Sequence, residues 1–139
     1  FLTHNQITKL VTLLKEKFTF ADHVEMSIQI DPREIAMNLA DHLYGLGFNR
    51  LSIGVQDIDK KVQETINRVQ STKFIGDFIA HAKQVGFNSI NIDLIYGLPH
   101  QTIETFTKTL KSSLKSKLTC SLAAILSASL ASLPTLLVT

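Results

Sequence analysis

The feature that most constrains this chain is an internal echo. "HLYGLGFNRLSIGV", starting at His42, aligns with "HAKQVGFNSINIDL", starting at His81. Each stretch reads as a helix, then Gly-Phe-Asn, then a strand of alternating apolar residues. In each, glycine ends the helix, where a left-handed backbone is needed. Two unrelated αβ joints could share one loop solution, but a repeated α/β architecture needs that loop repeatedly. Strands separated by helices pair in parallel through right-handed crossovers.

The remaining segments up to residue 111 fit this alternation. Thr3 caps a first helix with Gln6 as its capping-box partner, and Ile7, Leu10, Val11 and Leu14 recur at helical spacing. In "VEMSIQIDP", Val24, Met26, Ile28 and Ile30 alternate with Glu25, Ser27, Gln29 and Asp31, which predicts a strand. Pro32 suits the first turn of the next helix, whose stripe is Ile35, Leu39, Leu43 and Leu46 and whose stop is Gly47. "RLSIGVQ" is a second strand with Leu51, Ile53 and Val55 on one face. A weaker helix is expected near Lys60 to Val69, and another from about Lys73 to Val85, stopped by Gly86. "SINIDLIYG" is the third strand, and Thr102 caps a last helix carrying Ile103, Phe106 and Leu110. His42 and His81 hold the same place in the repeat and read as helix-end packing.

The second faces of these strands are polar or small. They carry Ser27, Gln29 and Asp31, then Ser52, Gly54 and Gln56, then Asn91 and Asp93. A flat doubly wound sheet buries both faces and reads as near-continuous apolar runs. Polar second faces suggest instead a barrel whose lumen holds a ligand. Gln29, Asp31, Gln56 and Asp93 bunch at the strands' C-terminal ends, where α/β barrels place their chemistry. An antiparallel sheet with one wet face is the structural alternative, opposed by the helix–strand alternation.

Composition narrows the function. The 139 residues suffice for one domain, and 45% hydrophobic with 19% charged residues is a globular balance. A net charge of +2, with scattered basic residues and no Trp, gives no argument for nucleic acid. Cys120 is the only cysteine, so this chain holds neither a disulfide framework nor a complete cysteine-based metal site, a usage that fits the cytoplasm. The chain opens on Phe1 without a signal peptide and reads as starting inside a larger protein. From Leu118 to Thr139 there is no charged residue. That run has the length of a membrane span, but its serines and Pro134 count against one.

"FNRLSIGVQD" with "NIDLIYGLPHQT" resembles the oxygen-independent coproporphyrinogen III oxidases, radical S-adenosylmethionine enzymes of heme biosynthesis. "IDPRE" and "VQDIDKKVQETINRVQ" resemble that oxidase more than its relative, the radical S-adenosylmethionine heme chaperone. The resemblance covers residues 1–111; residues 112–139 form a divergent Ser/Leu/Ala-rich tail that reads as a shifted frame. It implies part of a six-stranded (β/α)6 TIM-type barrel, here three parallel strands with outer helices and no neighbour for either outer strand. It also implies a [4Fe–4S] cluster on three cysteines and a Gly-Gly-Gly-Thr-Pro loop, neither of which this chain has.

The implied chemistry is oxidative decarboxylation of coproporphyrinogen III to protoporphyrinogen IX. A 5′-deoxyadenosyl radical, made from S-adenosylmethionine at the cluster, abstracts hydrogen from a propionate side chain. The porphyrinogen is the implied partner, with no nucleic acid or membrane, and the parent is expected to be a monomer. A second S-adenosylmethionine site is associated with the family, and Gln56, Arg68 and Asp93 match contacts to it. An arginine can hold the methionine carboxylate, an aspartate its ammonium, and an amide can serve either. Gln29 matches a glutamate that contacts the first S-adenosylmethionine, and departs from it. The rival readings are the heme chaperone and a noncatalytic remnant of a disrupted gene.

Overall fold

Residues 2–114 and 119–124 are described by the structure, a computed structural model. Helix α1 (His4–Lys17) precedes strand β1 (Ser27–Ile30), and helix α2 (Leu39–Leu46) leads to β2 (Arg50–Gln56). Helices α3 (Lys60–Thr65) and α4 (Thr72–Val85) lead to β3 (Ser89–Tyr96), followed by α5 (Ile103–Leu114) and β4 (Thr119–Ala124). The strands form one parallel sheet in the order β1-β2-β3-β4.

The echo has a physical cause. Gly47 and Gly86 both end helices at positive φ, +106° and +126°. In each joint the following phenylalanine N–H reaches back five residues, Phe48 to Leu43 O and Phe87 to Ala82 O, both at 3.1 Å. These bonds satisfy carbonyls that the helix end leaves open. Asn49 then ties its joint to the chain entering β1, accepting from Met26 N at 3.0 Å and donating to Val24 O at 2.9 Å.

One face of the sheet carries the core. Ile30, Leu51, Ile53, Val55, Ile90, Ile92 and Leu94 pack in one cluster with Val11, Leu43, Phe78 and Ala82 from α1, α2 and α4. Burying each large aliphatic contributes about 1.5–3 kcal/mol, so this layer fixes which way every strand faces. The small and polar residues are thereby left to the other face.

Four expectations need correction. The helix after β1 begins at Leu39 behind Asn38, not at Pro32; residues 32–38 are turn and loop. The strand before it is confined to Ser27–Ile30. Ile103 does not join an apolar stripe but is 84% exposed, while Phe106 and Leu110 do pack on the core. Beyond the three expected strands, β4 pairs in parallel with β3 from Asn91↔Thr119 to Tyr96↔Ala124. The outer edge of β3 is therefore paired, and part of the tail has the backbone of a further barrel-type strand. The remainder of the uncharged run, residue 118 and residues 125–139, lies outside the described residues. No helix among the described residues is long and apolar enough to cross a membrane.

Candidate functional site

Parallel register aligns the polar face into rows. Gln29 pairs with Ser52 and Ser52 with Asn91, and further along the strands Gly54 pairs with Asp93. Ser52 Oγ lies 2.9 and 2.8 Å from the two Asp93 oxygens, and Gln29 Nε2 donates to Asp93 Oδ2 at 2.7 Å. Gln29 and Asp93 stand on strands two spacings apart, roughly 9–10 Å, so their side chains meet over β2. A carboxylate offers about four lone-pair sites. One serine hydrogen and one amide hydrogen leave Asp93 with acceptor capacity on a half-buried face.

The second group of residues gathers around Gly54. At the end of β2 the ladder is irregular between Gly54 and Gln56, and Gln56 takes φ +69°. A methyl group added at Gly54 would stand 3.1 Å from Gln56 Nε2 and 3.5 Å from Arg68 Nη2. Glycine thus leaves the space into which both side chains fold. Arg68 lies not on the expected helix but in the loop after α3, following Asn67 at φ +52°. Its Nη2 donates to Gly54 O at 3.1 Å and pairs with Asp31 Oδ2 at 3.0 Å. Gln56 Oε1 and Arg68 Nε are buried without a hydrogen-bond partner. Buried polar atoms are seldom left so, and here one acceptor and one donor are left on the two side chains that fold against the same glycine.

Asp31 is the electrostatic centre of the rim. Arg33 donates to it from Nε at 3.0 and 3.1 Å and from Nη2 at 2.6 Å, and its backbone N–H adds a bond at 3.1 Å. The Arg33 side chain, with a smaller contribution from the Arg68 charge, holds the Asp31 carboxyl below the usual carboxylate range against the opposing effect of burial. Arg33 Nη1 also bonds Asn67 O at 3.1 Å, which ties the loop carrying Arg68 to β1. A cleft of about 420 Å³ opens at the free edge of β1, and Ile28, Gln29, Ile30, Asp31, Ile35 and Leu39 contribute to its walls.

The structure therefore brings Gln29 to Asp93, and Gln56 to Arg68, with Asp31 beside the second pair. It also shows residues that sequence reasoning left out of the site. Ser52 and Asp31 were visible on the polar face but not as partners. Gln70 donates to Val55 O while its own Oε1 is buried and unpaired, as is Asn91 Oδ1. Asp57 is completely buried. A charged residue directly after a strand, inside "VQDID", was the available signal. Tyr96, half-exposed at the end of β3, has its ring centroid 6.4 Å from that of Phe106. His42 stacks on His4 at 4.6 Å, and His81 bonds Asp41 at 2.7 Å. No group of histidine, cysteine and acidic side chains among the described residues could hold a metal ion.

Residues 2–112 match the Radical SAM superfamily. The chain is 54% identical over 111 residues to the oxygen-independent coproporphyrinogen III oxidase of Salmonella typhimurium, covering 80% of this chain and 24% of that protein. It is 53% identical over 111 residues to the protein of that name from Escherichia coli, with the same coverage of 80% and 24%. The solved coproporphyrinogen III oxidase from Escherichia coli, described as a radical SAM enzyme, superposes with a TM-score of 0.85 at 48% identity. That match covers 88% of this chain and 29% of the solved one. The chain thus spans about a quarter of the length of the curated relatives it matches.

Proposed function

This chain belongs to the Radical SAM superfamily, and from that premise we propose that it is a portion of an oxygen-independent coproporphyrinogen III oxidase. The observation that carries the reading is the 54% identity over 111 residues to an oxidase of that name. The proposed reaction is the oxidative decarboxylation of coproporphyrinogen III to protoporphyrinogen IX in porphyrin biosynthesis, in the cytoplasm. When bound, S-adenosylmethionine with a reduced [4Fe–4S] cluster supplies the radical chemistry.

The residues present fit S-adenosylmethionine and do not fit the cluster. A methionine end is a zwitterion, needing donors for its carboxylate and acceptors for its ammonium. The unpaired Arg68 Nε and Gln56 Oε1 supply one of each, on the two side chains that fold against Gly54. Asp93, braced by Ser52, adds a carboxylate with capacity to spare. Gln29 is the amide that reaches from β1 to that carboxylate. In this reading Arg68 and Gln56 orient the amino-acid end and Asp93 holds its ammonium, while the apolar face behind them keeps the strands rigid. The single cysteine cannot provide the three thiolates of a cluster. Anaerobic reconstitution of the 139-residue chain is accordingly expected to give no stoichiometric iron and sulfide.

A segment exchange tests the function. Residues 2–112 replace the matching segment of the 53%-identical Escherichia coli protein, and the chimera is assayed anaerobically with coproporphyrinogen III. Decarboxylation that falls at least a hundredfold on Asp93→Ala is expected. A chimera that carries its cluster but transfers heme without decarboxylating would refute the oxidase reading in favour of the chaperone.

A further inference from the structure

We infer that Asp57 is a positioning residue, whose buried carboxylate clamps the end of β2 to the rim after β3 and so aims the Gln56 side chain over Gly54. The local geometry at Gln56 is costly. Its φ of +69° is combined with a bond from Asp57 N to Val55 O at 2.9 Å. This is a three-residue turn of the positive-φ kind, which is rare and strained for a residue with a side chain. Such a conformation persists only where its surroundings over-determine it.

Asp57 provides that determination. Its Oδ1 accepts from Thr109 Oγ1 of α5 at 2.7 Å and from Asp59 N at 2.8 Å, and its Oδ2 accepts from Gln101 Nε2. Its backbone carbonyl accepts from Gln63 Nε2 of α3 at 2.9 Å. Gln101 in turn holds the turn after β3. Its Oε1 accepts from Gly97 N at 2.7 Å and Leu98 N at 3.3 Å, and its Nε2 also donates to Ile95 O at 3.0 Å. Asp57 and Thr109 are both 0% exposed. Through its carboxylate and its backbone carbonyl, one residue without access to solvent thus joins β2, α3, the Gly97–Leu98 turn and α5, next to the strained Gln56. The Asp57 carboxylate is itself closed off from solvent, so Asp57 acts through Gln56. Only the last step, that the aimed amide meets S-adenosylmethionine, rests on the function proposed above.

The test uses the 139-residue chain and the near-isosteric Asp57→Asn. The new amide turns a donor toward Gln101 Nε2, so the clamp opens on that side. Hydrogen exchange at the backbone N–H of position 57, which closes the turn, is expected to speed up at least about tenfold relative to wild type, as loss of a charge-assisted bond implies. Exchange at Ile53 and Ile92 is expected to stay within about twofold. The swap Asp57→Asn with Gln101→Glu restores an acceptor opposite that donor and is expected to recover part of the protection. S-adenosylmethionine, titrated into each variant, is expected to bind about tenfold more weakly to Asp57→Asn than to wild type. Wild-type protection at position 57 in Asp57→Asn would overturn the clamp, as would equal acceleration across Ile53 and Ile92. If exchange changes as expected but wild type binds no S-adenosylmethionine, the clamp stands and the cofactor reading fails. Should Asp57→Asn not fold, Thr109→Val removes one donor only and is held to the same criterion, with roughly threefold faster local exchange expected.

Discussion

Gln29 donates to Asp93 at 2.7 Å, so the amide there has a structural consequence before any cofactor is considered. A glutamate would set two carboxylates against each other, and one of them would keep its proton more readily in the folded chain. A folded pKa raised above the unfolded value gives a penalty that is absent below about pH 4 and grows as pH rises. Gln29→Glu is expected to lower stability by about 1 kcal/mol at pH 7 and by little at about pH 4. Denaturant titrations at the two pH values check this, and an equal deficit at both would contradict the contact. Asp31 has the opposite sign. Its folded pKa is depressed, chiefly by the Arg33 side chain, so its contribution is full above the unfolded carboxylate range and is lost as pH falls through the folded value. Asp31→Asn is expected to cost about 1–2 kcal/mol at pH 7, with the difference from wild type shrinking below about pH 4. Alternation along the strands made Gln29, Asp31, Gln56 and Asp93 legible as one polar face. The pairings were not legible, because Ser52–Asp93 and Arg68–Asp31 depend on strand register and on a loop that positive φ at Asn67 redirects.

At the scale of elements, the two Gly-Phe-Asn joints look alike in sequence but differ in what surrounds their glycines. A methyl group at Gly86 would lie 2.6 Å from Tyr44 Oη, whose ring packs edge-on against Phe87. At Gly47 the nearest atom would be Met26 Sδ, at 3.5 Å. Both substitutions incur about 1–2 kcal/mol for an L-residue in a left-handed conformation. Gly86→Ala is expected to cost about 1 kcal/mol more than Gly47→Ala, since Tyr44 must leave Phe87. In a Tyr44→Ala background that excess should vanish, as a double-mutant cycle by chemical denaturation would show. Helix ends were readable wherever a glycine or a threonine cap marks them, as at Gly47, Gly86 and Thr3. The start of α2 was not, because Pro32 suits a first helical turn in general while here it is buried in the turn that carries Asp31 and Arg33. β4 was missed because its run of small and apolar residues has no alternation to read.

For the molecule as a whole, the described residues form an open parallel sheet with β1 unpaired on its outer side and a cleft along that edge. Exposed strand edges recruit other chains. Leu10, Leu13 and Phe18, 48%, 45% and 63% exposed, add an apolar surface on and after α1. The chain is expected to self-associate with concentration in sedimentation velocity, and Ser27→Lys on the β1 edge should reduce that association without changing its circular dichroism. The proposed role of the polar sheet face is to hold S-adenosylmethionine through Gln56, Arg68 and Asp93. Its most direct measurement is the stoichiometry of S-adenosylmethionine bound by the cluster-loaded chimera, titrated anaerobically. Two equivalents are expected, falling to one when Gln56, Arg68 and Asp93 are replaced together by alanine, with the cluster retained. Two equivalents persisting in that triple variant would contradict it.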